Sequence, residues 1–172
     1  MATLVLTIMG DDRPGLVDTL AGVVADHGGN WEHSRMAHLA RKFAGILQVR
    51  VPDEQVQALR AALDALHTGG VLHVMVEPGG EAQAPGHRRL SLELVGQDRP
   101  GIVHDIAHAL AQRGVSIEEL ETGTRSASMG GGTLFHAAAT LLAPESLPMH
   151  ELEAALEALA NELMVDVEIA QE

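Results

Sequence analysis

The amino-acid sequence contains one pattern twice. Leu4 to Val17 reads LVLTIMGDDRPGLV, and Leu90 to Val103 reads LSLELVGQDRPGIV, an offset of 86 with Gly-x-Asp-Arg-Pro-Gly in both. The match continues in order. His27-Gly-Gly-Asn-Trp-Glu32 lies over Arg113-Gly-Val-Ser-Ile-Glu118. The second copy then gains six residues between Ser126 and Gly132, which places Phe43 over Phe135 and Pro52 over Pro144. After one further insertion, Leu59-Arg-Ala-Ala-Leu-Asp-Ala-Leu66 lies over Leu152-Glu-Ala-Ala-Leu-Glu-Ala-Leu159. An ordered series of matches means that one supersecondary unit is built twice. Between the copies, Glu77 to Arg88 reads EPGGEAQAPGHR, rich in Pro and Gly and poor in apolar residues. This predicts a first domain at 1–77, a linker at 78–88 and a second domain at 89–172.

Within a copy the hydrophobic period switches in a fixed order. Thr3 to Met9 is apolar and β-rich, a buried strand. Asp12-Arg13-Pro14-Gly15 stops it, with Pro14 suited to a first helical position and Asp12 to capping the amides beyond. Leu16, Leu20, Val23 and Val24 then recur at helical spacing until Gly28-Gly29. Asn30 to Leu39 and Phe43 to Val51 read as a hairpin turning near Ala40-Arg41-Lys42. Pro52-Asp53 opens a second helix with Val56, Leu59, Leu63 and Leu66 on one stripe, ended by Gly69-Gly70. Val71 to Val76 is the last strand. The second copy repeats this order and ends in Leu163 to Ile169. The order βαββαβ is the ferredoxin-like plan: an α+β domain with a four-stranded antiparallel sheet and two helices on one face. The other face is left uncovered, so the copies are expected to pair and the chain to form a homodimer. Val49, Val51, Leu141 and Ala143 are on the strands involved.

Charge narrows the function. The chain of 172 residues carries 24 acidic and 11 basic residues, a formal net charge of −13. Basic residues run no longer than the pairs Arg41-Lys42 and Arg88-Arg89. Phosphate neutralisation supplies most nucleic-acid affinity, so direct DNA binding is not expected. The aromatics are Trp31, Phe43 and Phe135, too few for a base-stacking surface. Cysteine is absent, which excludes disulfides and thiolate metal sites and is compatible with a reducing cytoplasm. The N-terminus lacks a basic region and a cleavage site, and no apolar run has the length of a membrane span.

Two readings fit the Asp-Arg-Pro-Gly loop. In the plainer one it is a capped helix start. In the other, Gly15 lets a ligand approach the backbone, the N–H groups of Gly15, Leu16 and Val17 receive a carboxylate, Asp12 pairs with an ammonium, and Asn30 stands within reach. His104 and His108 have metal-ligand spacing but no third partner in sequence, so no metal is expected. Gly130-Gly-Gly132 runs into a strand and lacks a following Lys-Ser/Thr, so it is no phosphate loop. Ser34 and Ser126 lack a nucleophile elbow, and no catalytic constellation is found.

Gly-x-Asp-Arg-Pro-Gly between a first strand and a first helix, followed by Gly-Gly-Asn-Trp-Glu at the second strand, resembles the ACT domain family of small regulatory modules. The resemblance covers both copies. Asn30-Trp-Glu-His-Ser-Arg-Met-Ala-His-Leu with Phe43-Ala-Gly-Ile-Leu is similar to the first domain of glycine cleavage system transcriptional repressors. Glu118-Glu-Leu-Glu-Thr122 with Gly131-Gly-Thr-Leu-Phe135 is similar to the second. The resemblance implies a cytoplasmic, non-enzymatic regulator that senses an amino acid, glycine first among candidates. It implies no cofactor, and control of a DNA-binding transcriptional activator by protein contact. It places ligand roles on Asp12, Arg13, Pro14, Gly15, Leu16 and Asn30, and in the second copy on Asp98, Gly101, Ile102 and Ser116. A ligand-free interaction module and a regulatory subunit of an amino-acid enzyme are the alternatives.

Overall fold

The computed structural model describes residues 1–80, 86–128 and 131–171. The chain divides into two compact units, Met1–Ala82 and Gln83–Glu172. In the segment between the copies, Glu81 to Pro85 lie outside the described residues, as do Met129 and Gly130 of the second hairpin.

The first unit runs β1 (Ala2–Asp11), α1 (Leu16–Asp26), β2 (Asn30–Leu39), β3 (Lys42–Val51), α2 (Val56–Thr68) and β4 (His73–Pro78). The strands form one antiparallel sheet in the order β2-β3-β1-β4, the ferredoxin-like topology. Alternation sorts the side chains. Leu4, Leu6 and Ile8 of β1 and Leu47, Val49 and Val51 of β3 are buried, with Leu16, Leu20 and Val24 of α1 and Leu59 and Leu63 of α2. Each such side chain contributes roughly 1.5–3 kcal/mol when withdrawn from water. The opposite face of the sheet carries Met9 of β1, Ile46 of β3 and Met75 of β4, 53%, 53% and 61% exposed. Val49 and Val51, expected on the strands that pair, are themselves fully buried in the domain's own core; the same holds for Leu141 and Ala143. Period two allows a strand only one such face at a time.

The second unit repeats the plan with β5 (His87–Gln97), α3 (Ile102–Ala111), β6 (Ser116–Ser126), β7 (Thr133–Pro144), α4 (Met149–Leu163) and β8 (Val165–Gln171), in the sheet order β6-β7-β5-β8. Leu90, Leu92, Leu94, Ile102, Ile106, Leu110, Leu152 and Leu156 build its core.

The repeated residues have structural causes. Gly10 and Gly96 stand where the first strand of each unit meets the start of the last. A Cβ at Gly96 would lie 2.3 Å from Val165 Cγ1, and one at Gly10 would lie 3.0 Å from Leu72 Cδ2. Glu32 and Glu118 sit in matching β-bulges, at the register shifts between Trp31 and His33 and between Ile117 and Glu119. Glu32 accepts hydrogen bonds from Arg50 and from Gln48 Nε2, and Glu118 accepts one from Arg89 Nη2. Gly28 ends α1 in the left-handed region; its N–H bonds Ala25 O and that of Gly29 bonds Val24 O, satisfying two terminal carbonyls.

Candidate functional site

The Asp12–Gly15 loop joins β1 to α1 at one end of the first sheet. β1 persists to Asp11, where it pairs with Lys42, and the Asp12 N–H donates to Arg41 O at 2.9 Å. This anchors the loop to the β2–β3 hairpin. The helix start differs from the sequence expectation. Pro14 is not the first helical residue and Asp12 is not the cap. Gly15 holds the cap position at φ 89, with no side-chain cap hydrogen bond, and Leu16 opens the helix. An L side chain disfavours that conformation, which explains the glycine. Asp12 is tied three residues upstream by its bond to Arg41 and so cannot fold back over α1. Its Oδ2 lies 3.4 Å from His38 Nε2 instead.

The first intrahelical bond runs from Thr19 N to Gly15 O. The amides of Leu16, Val17 and Asp18 therefore stand before the ladder begins, in a field that favours an anion. A Cβ on Gly15 would meet nothing within 4 Å beyond its chain neighbours, so the glycine answers to its backbone conformation and not to crowding. Leu16 is 4% exposed; its side chain belongs to the core and only its backbone can serve a ligand. Arg13 and Pro14 are exposed.

Asn30 is not brought to this loop. It pairs with Arg50, which pairs in turn with Thr3, at the opposite end of the sheet from Asp11. The eight residue steps from Thr3 to Asp11 span roughly 26 Å. β2 borders β3 and not β1, so the reach assumed from sequence does not exist within the domain. The second domain is built alike. Gly101 caps α3 at φ 95 and Ile102 is buried. The Asp98 N–H bonds Thr133 O, and Ser116 pairs with Leu142, level with Arg89 at the far end. Each helix carries one acidic residue in its first turn, Asp18 in α1 and Asp105 in α3, at different positions. Asp105 lies in the first turn of α3, where α1 has Thr19, and its Oδ2 is 3.6 Å from Arg99 Nη2 and 3.9 Å from the position of a Cβ on Gly101. The Asp105 carboxylate thus lies beside the Gly101 cap, whereas Asp18 is not within 4 Å of a Cβ on Gly15.

Sequence reading missed His38 beside Asp12 and the pairing of Lys42 Nζ with Asp11 Oδ1 at 2.5 Å. That pairing holds the Asp11 carboxyl below its ordinary value, through the hydrogen bond first and the Lys42 charge second. The hydrogen bond from Arg50 does the same for Glu32. Beside Gly10, Asp11 and Lys42 lies an open cavity of about 340 Å³ walled by His67 and His73, whose rings stack at 3.9 Å. Neither histidine recurs in the second copy, so the repeat gave no signal for them. His104 and His108 are exposed on α3, with His108 Nε2 bonded to Gln112. Among the described residues no group of three or more His, Cys, Asp or Glu is placed to hold a metal, and no helix is long and apolar enough to cross a membrane. Gly130 lies outside the described residues.

An ACT domain family model matches residues 2–77 and a second ACT domain model matches residues 90–143, together most of the chain. The chain is a tandem ACT-domain protein. This ACT pair is 26% identical over 161 residues to the glycine cleavage system transcriptional repressor of Escherichia coli (strain K12), covering 93% of this chain and 85% of that one. A crystal structure of an unknown protein from Galdieria sulphuraria superposes with a TM-score of 0.84 at 29% identity, covering 99% and 98% of the two chains. A structure assigned as a glycine cleavage system transcriptional repressor shares the fold at a TM-score of 0.70 and 21% identity, covering 99% and 97%.

Proposed function

We propose that this tandem ACT-domain protein is an amino-acid-responsive regulator of glycine catabolism, not an enzyme, that binds its effector at the Asp12–Leu16 loop. The observation that carries the reading is the start of α1, where a left-handed Gly15 replaces a side-chain cap and the Leu16, Val17 and Asp18 amides stand ahead of the helical ladder. The effector carboxylate sits on the Leu16 and Val17 amides, and Asp12 takes the ammonium. Glycine is the first candidate, on the likeness to the Escherichia coli repressor. Asp98 and Gly101 form the weaker second loop, because the Asp105 carboxylate lies beside the Gly101 cap. With a net charge of −13, regulation runs through contact with a DNA-binding transcriptional activator and not through DNA. The protein works in the cytoplasm as a homodimer.

Calorimetry with glycine, serine and other amino acids tests the reading. Asp12 does not cap α1, so Asp12→Ala removes the ammonium partner while leaving the helix start intact. The expected result is saturable binding that Asp12→Ala weakens and Asn30→Ala leaves unchanged. An Asn30→Ala loss with no Asp12→Ala effect sinks the loop site. The exposed Met9, Ile46 and Met75 favour a second reading, an interaction module without a ligand; absence of binding by every amino acid would select it.

A further inference from the structure

The outer faces of the two sheets have diverged. In the first sheet one rung of the ladder reads Arg35, Ile46, Thr7 and Met75 across β2, β3, β1 and β4. The same rung of the second sheet reads Glu121, Ala138, Glu93 and Glu168 across β6, β7, β5 and β8. All eight residues are exposed. Glu93 and Glu168 stand directly opposite each other, a like-charge pair that weakens the ladder. Covering that rung would take three carboxylates out of water at high cost. The first sheet instead presents the apolar side chains of Met9, Ile46 and Met75. Its two edge strands carry opposite charges, Arg35 on β2 and Glu77 on β4.

We propose that the outer face of the first sheet packs on the same face of a second copy, with β2 of each lying over β4 of the other. The proposal rests on the reading of the chain as a homodimer and adds the face and its orientation. A face that meets itself is related by a two-fold axis. Stacked sheets lie about 10 Å apart with their strands nearly aligned. An axis across the strands sets β2 over β2 and β4 over β4, which gathers the arginines on one side and the glutamates on the other. An axis along the strands sets the order β2-β3-β1-β4 against its reverse. Arg35 then meets the Glu77 edge of the other copy, twice by symmetry, and β3 with Ile46 covers β1 with Thr7. The aliphatic stem of Arg35 lies on Met75. Four strands about 4.8 Å apart and about eight residues long give a footprint of roughly 500 Å² a side. The total of about 1,000 Å² is the lower bound for a specific interface, so the dimer is reversible and concentration-dependent.

The test is sedimentation equilibrium of the full chain and its charge-reversed variants. Within one copy Arg35 and Glu77 lie on opposite edge strands, three strand spacings or roughly 14 Å apart, so they make no ion pair there. Arg35→Glu or Glu77→Arg alone is expected to weaken the dimer about tenfold, because each breaks two symmetric ion pairs and sets like charges together. The two changes move the net charge in opposite directions, so a loss common to both reports the contact and not the overall charge. The double variant is expected to return to within about threefold of wild type, which also shows that neither substitution prevents folding. Glu121→Arg on the second sheet should leave the dimer unchanged. A dimer that neither reversal weakens, or that the double variant fails to restore, would overturn the proposal. So would a dimer that Glu121→Arg weakens as much as Arg35→Glu does, which places the second sheet in the interface. A wild-type chain that stays monomeric at every concentration removes the homodimer reading and the proposal together.

Discussion

At the residue scale, Gly-x-Asp-Arg-Pro-Gly divides into parts with separate physical duties. Its first glycine clears space for the last strand, and the Cβ distances rank the two copies. Gly96→Ala should destabilise the second domain by about 1–3 kcal/mol, as overpacking against a strand does, and Gly10→Ala should cost less, because its Cβ would come no closer than 3.0 Å to Leu72 Cδ2 and 3.1 Å to Val71 O. Urea unfolding of both variants measures this; equal, negligible losses would contradict it. The last glycine is required by its backbone alone. Gly15→Ala should cost about 1–2 kcal/mol from left-handed strain, with no clash to relieve. Asp11 offers a pH readout. Its folded-state value is lowered by Lys42, so the stabilisation is complete above the ordinary 3.8 and is lost as pH falls through the lower folded value. The pair is exposed, at 63% and 83%, so the effect on stability is small. NMR titration should show Asp11 returning to its ordinary value in Lys42→Met, and an unchanged titration would show that the pair does not form in solution.

At the element scale, most of the architecture was legible. Hydrophobic period located every helix and strand of both copies, and Gly28-Gly29 and Gly69-Gly70 marked helix ends where Gly28 and Gly70 take positive φ. Three things were not legible. The helix cap depends on where Asp12 is held, and the Arg41 carbonyl that holds it is distant in sequence. The place of Asn30 depends on strand order, which puts β3 between β2 and β1. The first hairpin is the third case. Its turn was placed near Ala40-Arg41-Lys42, but nothing in those residues announces that Ala40 and Arg41 both take positive φ, 49° and 66°, a two-residue loop that favours Asn-Gly. Ala40→Asn with Arg41→Gly should therefore stabilise the first domain by roughly 1 kcal/mol. A lower midpoint in urea would contradict that turn geometry.

At the scale of the whole molecule, duplication supplies two helix starts of one backbone design, and divergence places the first-turn carboxylate differently, at Asp18 in α1 and at Asp105 beside the Gly101 cap in α3. The acidic balance predicts no specific DNA shift by the purified chain at physiological salt; a shift abolished by added salt would contradict it. The exposed apolar residues of the first sheet predict a homodimer by light scattering, and Ile46→Lys should shift it toward monomer. An unchanged distribution would place the interface elsewhere. The proposed effector site is tested most directly by amide NMR of the full chain titrated with glycine. Saturable shifts are expected at Leu16, Val17 and Asp18, lost in Asp12→Ala, with Asn30 unmoved. Saturable shifts centred on Asn30, or none at the start of α1, would contradict it.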